Sequence, residues 1–127
     1  MRSGILIFGL LLSCAANAVD WKPLADARGV KYFVDPDSRI LTSSIAMVMV
    51  LSNFENPKSY KKQPYRSTVE YWRADCGGDK VALVDVHATT GGMGTGGTVF
   101  EESVNSPWVP IKAGNVSEAL LHAACSK

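Results

Sequence analysis

The chain reads as an α+β domain: a small antiparallel sheet of about five to six strands, with a C-terminal α-helix packed on one face and tied to it by a disulfide. Three observations predict this. Five segments rich in Val, Ile, Thr, Tyr and Phe are separated by clusters of turn-forming residues. A final segment repeats its apolar residues at helical spacing instead. Two cysteines, Cys76 and Cys125, close the third of the five segments and the helical one.

The N-terminus sets the compartment. Arg2, the apolar run Ile5 to Leu12 and the small residues Ala16-Asn17-Ala18 have the pattern of an export leader cleaved before Val19. The run is too short to span a bilayer comfortably. The expectation is a signal peptide over residues 1–18, no transmembrane span, and one domain over 19–127. Leu11-Leu12-Ser13-Cys14 also approximates the bacterial lipobox, although a leucine directly before the small residue fits it poorly. Cys14 is therefore either discarded with the leader or lipidated as the first residue of a tethered protein. Export implies an oxidising compartment, in which Cys76 and Cys125 have only each other to pair with. There is no CxxC for redox chemistry, and two isolated thiols do not build a structural zinc site.

The strands are expected at Lys31–Asp35, Ile40–Phe54, Arg66–Cys76, Lys80–Thr90 and Gly97–Ser103. Asp35-Pro36-Asp37-Ser38 reads as a turn between the first two. Cys76-Gly77-Gly78-Asp79 reads as a tight connection whose glycines supply positive φ. Ile45-Ala46-Met47-Val48-Met49-Val50-Leu51 does not alternate with polar residues, which predicts a central strand covered on both faces. Val116, Leu120, Leu121 and Ala124 share one side of a helix running from about Val116 to Cys125, with Asn115 as N-cap and Glu118 as a reciprocal carboxylate. So short a helix must dock on the sheet to persist. Trp72 has the parity of Cys76 and is expected to face it, while Trp21 and Trp108 read as packing residues.

The chain carries 13 Lys and Arg against 12 Asp and Glu. Loss of Arg2 with the leader makes these equal, so no overall field draws the protein to nucleic acid. Gly92-Met93-Gly94-Thr95-Gly96-Gly97 satisfies G-x-G-x-x-G, but a strand follows where a dinucleotide site needs a helix, and no cofactor is implied. A flexible hairpin loop is expected there. His87 and His122 are the only imidazoles. Asp85 and His87 share a strand face and suggest a small hydrolase with Ser67 or Ser103, yet no spacing marks a nucleophile or an oxyanion hole. His122 reads as solvated, and no metal site is assigned. Asn115-Val116-Ser117 matches the glycosylation pattern but is claimed by the helix cap.

The most suggestive surface is the stretch from Asn56 to Arg66. Lys58, Lys61, Lys62 and Arg66 alternate with Tyr60 and Tyr65, and Pro57 and Pro64 argue against regular pairing. Read as a long loop, it offers cations for attraction and tyrosines for contact area toward an acidic polysaccharide or a protein partner.

In order and spacing, several short motifs resemble the surface-adhesin protein E family. These are Val19-Asp20-Trp21-Lys22-Pro23-Leu24, Tyr32-Phe33-Val34-Asp35, Leu51-Ser52-Asn53-Phe54, Arg66-Ser67 opening the strand to Asp75-Cys76, Trp108 before Val109-Pro110-Ile111, and the C-terminal helix with Cys125. The resemblance covers most of the mature chain. It implies an exported protein of a Gram-negative envelope, periplasmic or at the cell surface, and a non-enzymatic binding module that contacts host extracellular matrix proteins. The alternatives are a periplasmic accessory protein without an adhesive role and the hydrolase built on Asp85 and His87. An exposed edge strand would also permit a homodimer.

Overall fold

The computed structural model describes residues 19–126. The expected leader and Cys14 lie outside the described residues. Seven strands form one antiparallel sheet: β1 (Lys22–Ala27), β2 (Val30–Thr42), β3 (Ile45–Tyr60), β4 (Gln63–Asp75), β5 (Lys80–Thr89), β6 (Thr98–Ser103) and β7 (Val109–Pro110), followed by helix α1 (Val116–Cys125). The first six lie in sequence order across the sheet, and β7 pairs with β5 beyond the end of β6. Each connection among the first six is thus a local return between neighbours, as short turns favour.

The expected segments map onto these strands with corrections. Lys31–Asp35 and Ile40–Phe54 are not two strands joined at Asp35-Pro36-Asp37-Ser38. β2 runs through that tetrapeptide, absorbing it as an irregularity between Asp35 and Ile40, and the real turn falls at Ser43-Ser44. The turn formers still act locally: Asp35 accepts a hydrogen bond from Asp37 N at 3.1 Å, and the Ser38 hydroxyl accepts one from Met49 N at 2.8 Å. At the β4–β5 return, Gly77 and Gly78 do not supply the positive φ. Asp79 does, at 52°, while Asp75 Oδ1 accepts from the amides of both glycines at 3.1 Å. β1 was not expected at all.

One sheet face carries the core. Val34, Ala46, Val48, Val50, Ala74 and Val81 are buried there against Leu120, Leu121 and Ala124 of α1. The helix occupies the expected residues. Asn115 Oδ1 accepts from Ser117 N at 2.7 Å as N-cap, and Glu118 reaches back to Gly114 N, one residue beyond the Asn115 amide of the reciprocal bond expected. Cys76 and Cys125 are joined by a disulfide, and with Trp72 they pack against the same core cluster. Below the helix, Glu70 is a hub: its carboxylate accepts from Ser52 Oγ (2.9 Å), Thr68 Oγ1 (2.7 Å) and Trp72 Nε1 (2.9 Å). A charge partly withdrawn from water keeps its place here because three donors replace hydration.

β3 is central, as expected, but its two faces differ. Ala46, Val48 and Val50 are buried under the helix, whereas Met47 and Met49 on the opposite face are half-buried. That outer face is closed at one end, where Gly94 lies against Leu51 and Val69. The glycine-rich segment is the hairpin connection expected, joining β5 to β6, but it is pinned to the sheet rather than flexible. It is a hydrogen-bonded flap: Ser67 Oγ donates to Gly91 O (2.7 Å) and accepts from Gly94 N (2.9 Å), and Asn53 Oδ1 accepts from Met93 N (2.8 Å). Gly96 adopts φ 88° with Thr90's hydroxyl where a Cβ would stand, so both conformation and space require glycine.

Candidate functional site

The stretch from Asn56 to Arg66 is not a loop. β3 and β4 continue pairing along it as a two-stranded ribbon, with Lys58 opposite Tyr65, Ser59 opposite Pro64 and Tyr60 opposite Gln63. The prolines are accommodated differently from expectation. Pro57 sits in the irregularity between Asn53 and Lys58, and Pro64 stays within the ladder. Only Lys61 and Lys62 remain as the turn, at φ 48° and 68°. Two positive φ values in a two-residue hairpin loop match the type I′ turn, whose twist suits the flanking strands but which ordinarily takes Asn-Gly. Each left-handed lysine costs about 1 kcal/mol relative to its preferred conformation.

An aromatic cluster stiffens the ribbon's base. Tyr60 and Phe100 lie 4.5 Å apart by ring centroid, Tyr65 meets Phe100 edge-on at 5.4 Å, and Phe54 meets Tyr65 edge-on at 5.9 Å. Lys58 Nζ stands 5.1 Å from the Phe54 centroid and Lys61 Nζ 5.4 Å from that of Tyr60. Lys58, Lys61, Lys62 and Arg66 are exposed, and among the described residues none is in an ion pair. The structure thus brings the six expected residues onto one ribbon. It adds Phe54 and Phe100, the latter from β6, which linear spacing could not connect to the rest.

The other expected groups do not converge. Asp85 and His87 do share a sheet face, through cross-strand partners Tyr71 and Val69. His87 Nε2, however, is 2.8 Å from Thr98 Oγ1 and 3.6 Å from Glu101. Ser67 is fully buried in the flap's hydrogen bonds, and Ser103 lies opposite Asp85 on β6. No serine–histidine pair forms among the described residues. His122 is exposed on α1. Trp108 packs at the sheet edge between two cations, 4.9 Å from the Arg73 guanidinium and 5.6 Å from Lys80 Nζ. Among the described residues there is no group of three or more His, Cys, Asp or Glu placed to hold a metal, and no helix long and apolar enough to cross a membrane.

An antiparallel meander with one helix clamped across it, and cations presented on a two-stranded hairpin, defines a small disulfide-stabilised α+β module. The chain belongs to the surface-adhesin protein E family, whose model matches residues 21–126. Its fold is similar to crystal structures of Haemophilus influenzae protein E. Crystal form II superposes with a TM-score of 0.60 at 13% identity, covering 82% of this chain and 92% of that one. The protein from the non-typeable bacterium gives 0.61 at 16% identity, covering 83% and 71%. No curated protein sequence matches the chain.

Proposed function

We propose that the protein is an exported, non-enzymatic binding module of the bacterial envelope, which loses residues 1–18 and contacts a host matrix protein or acidic polysaccharide through the β3–β4 ribbon. Family membership supports the adhesive class. The observation that carries the contact surface is the turn itself. Lys61 and Lys62 hold a conformation that asparagine and glycine adopt at lower cost, and they hold it at the tip of a hairpin braced by four aromatic rings. Strain of this kind is tolerated where the side chains presented matter more than local stability. The unpaired cations give long-range attraction, and Tyr60 and Tyr65 give contact area at low entropic cost.

The test is replacement of Lys58, Lys61, Lys62 and Arg66 by serine, with binding to heparin and to purified matrix proteins measured across a salt series. The expected result is weaker binding and a flatter salt dependence, because fewer counterions are displaced. Unchanged affinity and slope would remove the ribbon from the contact. Surface display is checked separately by adding protease to intact cells: an adhesin is cleaved, whereas a periplasmic accessory protein is protected.

A further inference from the structure

The sheet face opposite the helix carries a second surface of opposite character. Cross-strand partners place Met49 beside Tyr71, Tyr71 beside Asp85, Val69 beside His87, and His87 beside Glu101. Direct partners project to the same side, so these residues form one patch. A trough of about 550 Å³ runs along it, with Met49, Val69 and Tyr71 as an apolar floor and the carboxylates of Asp85 and Glu101 as acidic lining. The apolar character extends to Ile40, which is 63% exposed, and Tyr71 is itself 42% exposed.

These carboxylates have little cationic company from their own chain. His87 is 3.6 Å from Glu101, and among the described residues no other cation lies within ion-pair distance of Asp85 or Glu101. Arg73, on the strand beside β5, is drawn instead to the Trp108 ring. An anionic occupant would be repelled from the trough. A wholly apolar one would strip water from two carboxylates and return nothing. An arginine fits all the surfaces at once: its methylene stem lies over Met49 and Val69, its guanidinium stacks on Tyr71, and its donors meet the carboxylates as a fork.

We infer that this trough is a docking site for an arginine-bearing segment of a partner polypeptide. It does not depend on the ribbon's role, since the two surfaces attract opposite charge and use different residues.

The probe is a fluorescein-labelled hexa-arginine peptide, followed by anisotropy with the purified protein at physiological salt. The expected result is saturable binding that weakens at least about tenfold, or about 1.4 kcal/mol, in the Asp85→Asn/Glu101→Gln variant. Tyr71→Ser should weaken it likewise. A hexa-lysine peptide should bind less tightly, and the control pair Asp20→Asn/Asp37→Asn, with the same change in charge, should bind as the parent does. Equal loss in that control would reduce the effect to net charge and overturn the site, as would absence of binding. A parent protein that sediments as a dimer, and that Tyr71→Ser converts to monomer, would show the face covered by a second copy and would also overturn it. Should Tyr71→Ser fail to fold, the carboxylate variant alone decides.

Discussion

Tyr32 and Glu70 show how a single residue ties the strands to the solvent's pH. Both line the small apolar space beneath α1, with Leu24, Val50, Trp72 and Leu120. Burial raises the Tyr32 phenol above its usual value of 10.0, and the nearby Glu70 carboxylate raises it further. The folded protein therefore keeps this proton at a pH where the unfolded chain has released it. Stability from this source is full below pH 10 and is lost as pH rises through the folded value. The urea midpoint of the parent is expected to fall between pH 9 and 11 more steeply than that of Tyr32→Phe. Parallel curves would show that the phenol does not contribute. Glu70 itself was invisible to reading by type, because a carboxylate on a strand looks like a solvent-facing residue. Only its parity with Thr68 and Trp72, all turned toward the helix, hinted that it points inward.

Among the elements, the ribbon holds a conflict between stability and presentation. Lys61→Asn/Lys62→Gly would match the turn's demands and is expected to stabilise the fold by about 1 to 2 kcal/mol. The same change removes both tip cations, so binding through the ribbon should fall as the melting temperature rises. A variant that is neither more stable nor weaker in binding would show that the turn lysines are incidental. The six contact residues were legible as a composition, but their conformation was not, since nothing in a Lys-Lys pair advertises a type I′ turn. The same physics explains the other corrections. An edge strand such as β1, with Pro23 and four further residues of low strand propensity, is held by one neighbour and by packing rather than by its own preference. Asp35-Pro36-Asp37-Ser38 carries every sign of a turn, and a bulge uses those residues equally well. α1, β4 and β5 were legible because their apolar periods and caps agreed with their packing. The trough was not, because it exists only through the register of strands β3 to β6.

At the scale of the molecule, the Cys76–Cys125 bond spans a sequence separation of 49 residues. The chain-entropy model assigns a loop of that size about 4 kcal/mol, a large share of what a small domain has. Reduction, or Cys76→Ser with Cys125→Ser, should lower the unfolding free energy by roughly that amount. Amide exchange should accelerate first in α1, which is too short to persist undocked, while the β2–β3–β4 ladder stays protected. Simultaneous loss of protection in helix and ladder would mean that the two form a single cooperative unit.

The sequential strand order and the position of α1 also bear on how the chain becomes a protein in time. Leaving a ribosome or a translocation channel from its N-terminal end, it can pair each strand with the one delivered just before it. Yet α1 is the last of the described elements to arrive, and its Leu120, Leu121 and Ala124 are what close the core over Val34, Val48 and Val50. Until those final residues are delivered, a nearly complete sheet presents a bare apolar face to whatever surrounds it. A holding chaperone would act in that interval, and it would be released by the arrival of ten residues rather than by the formation of the sheet.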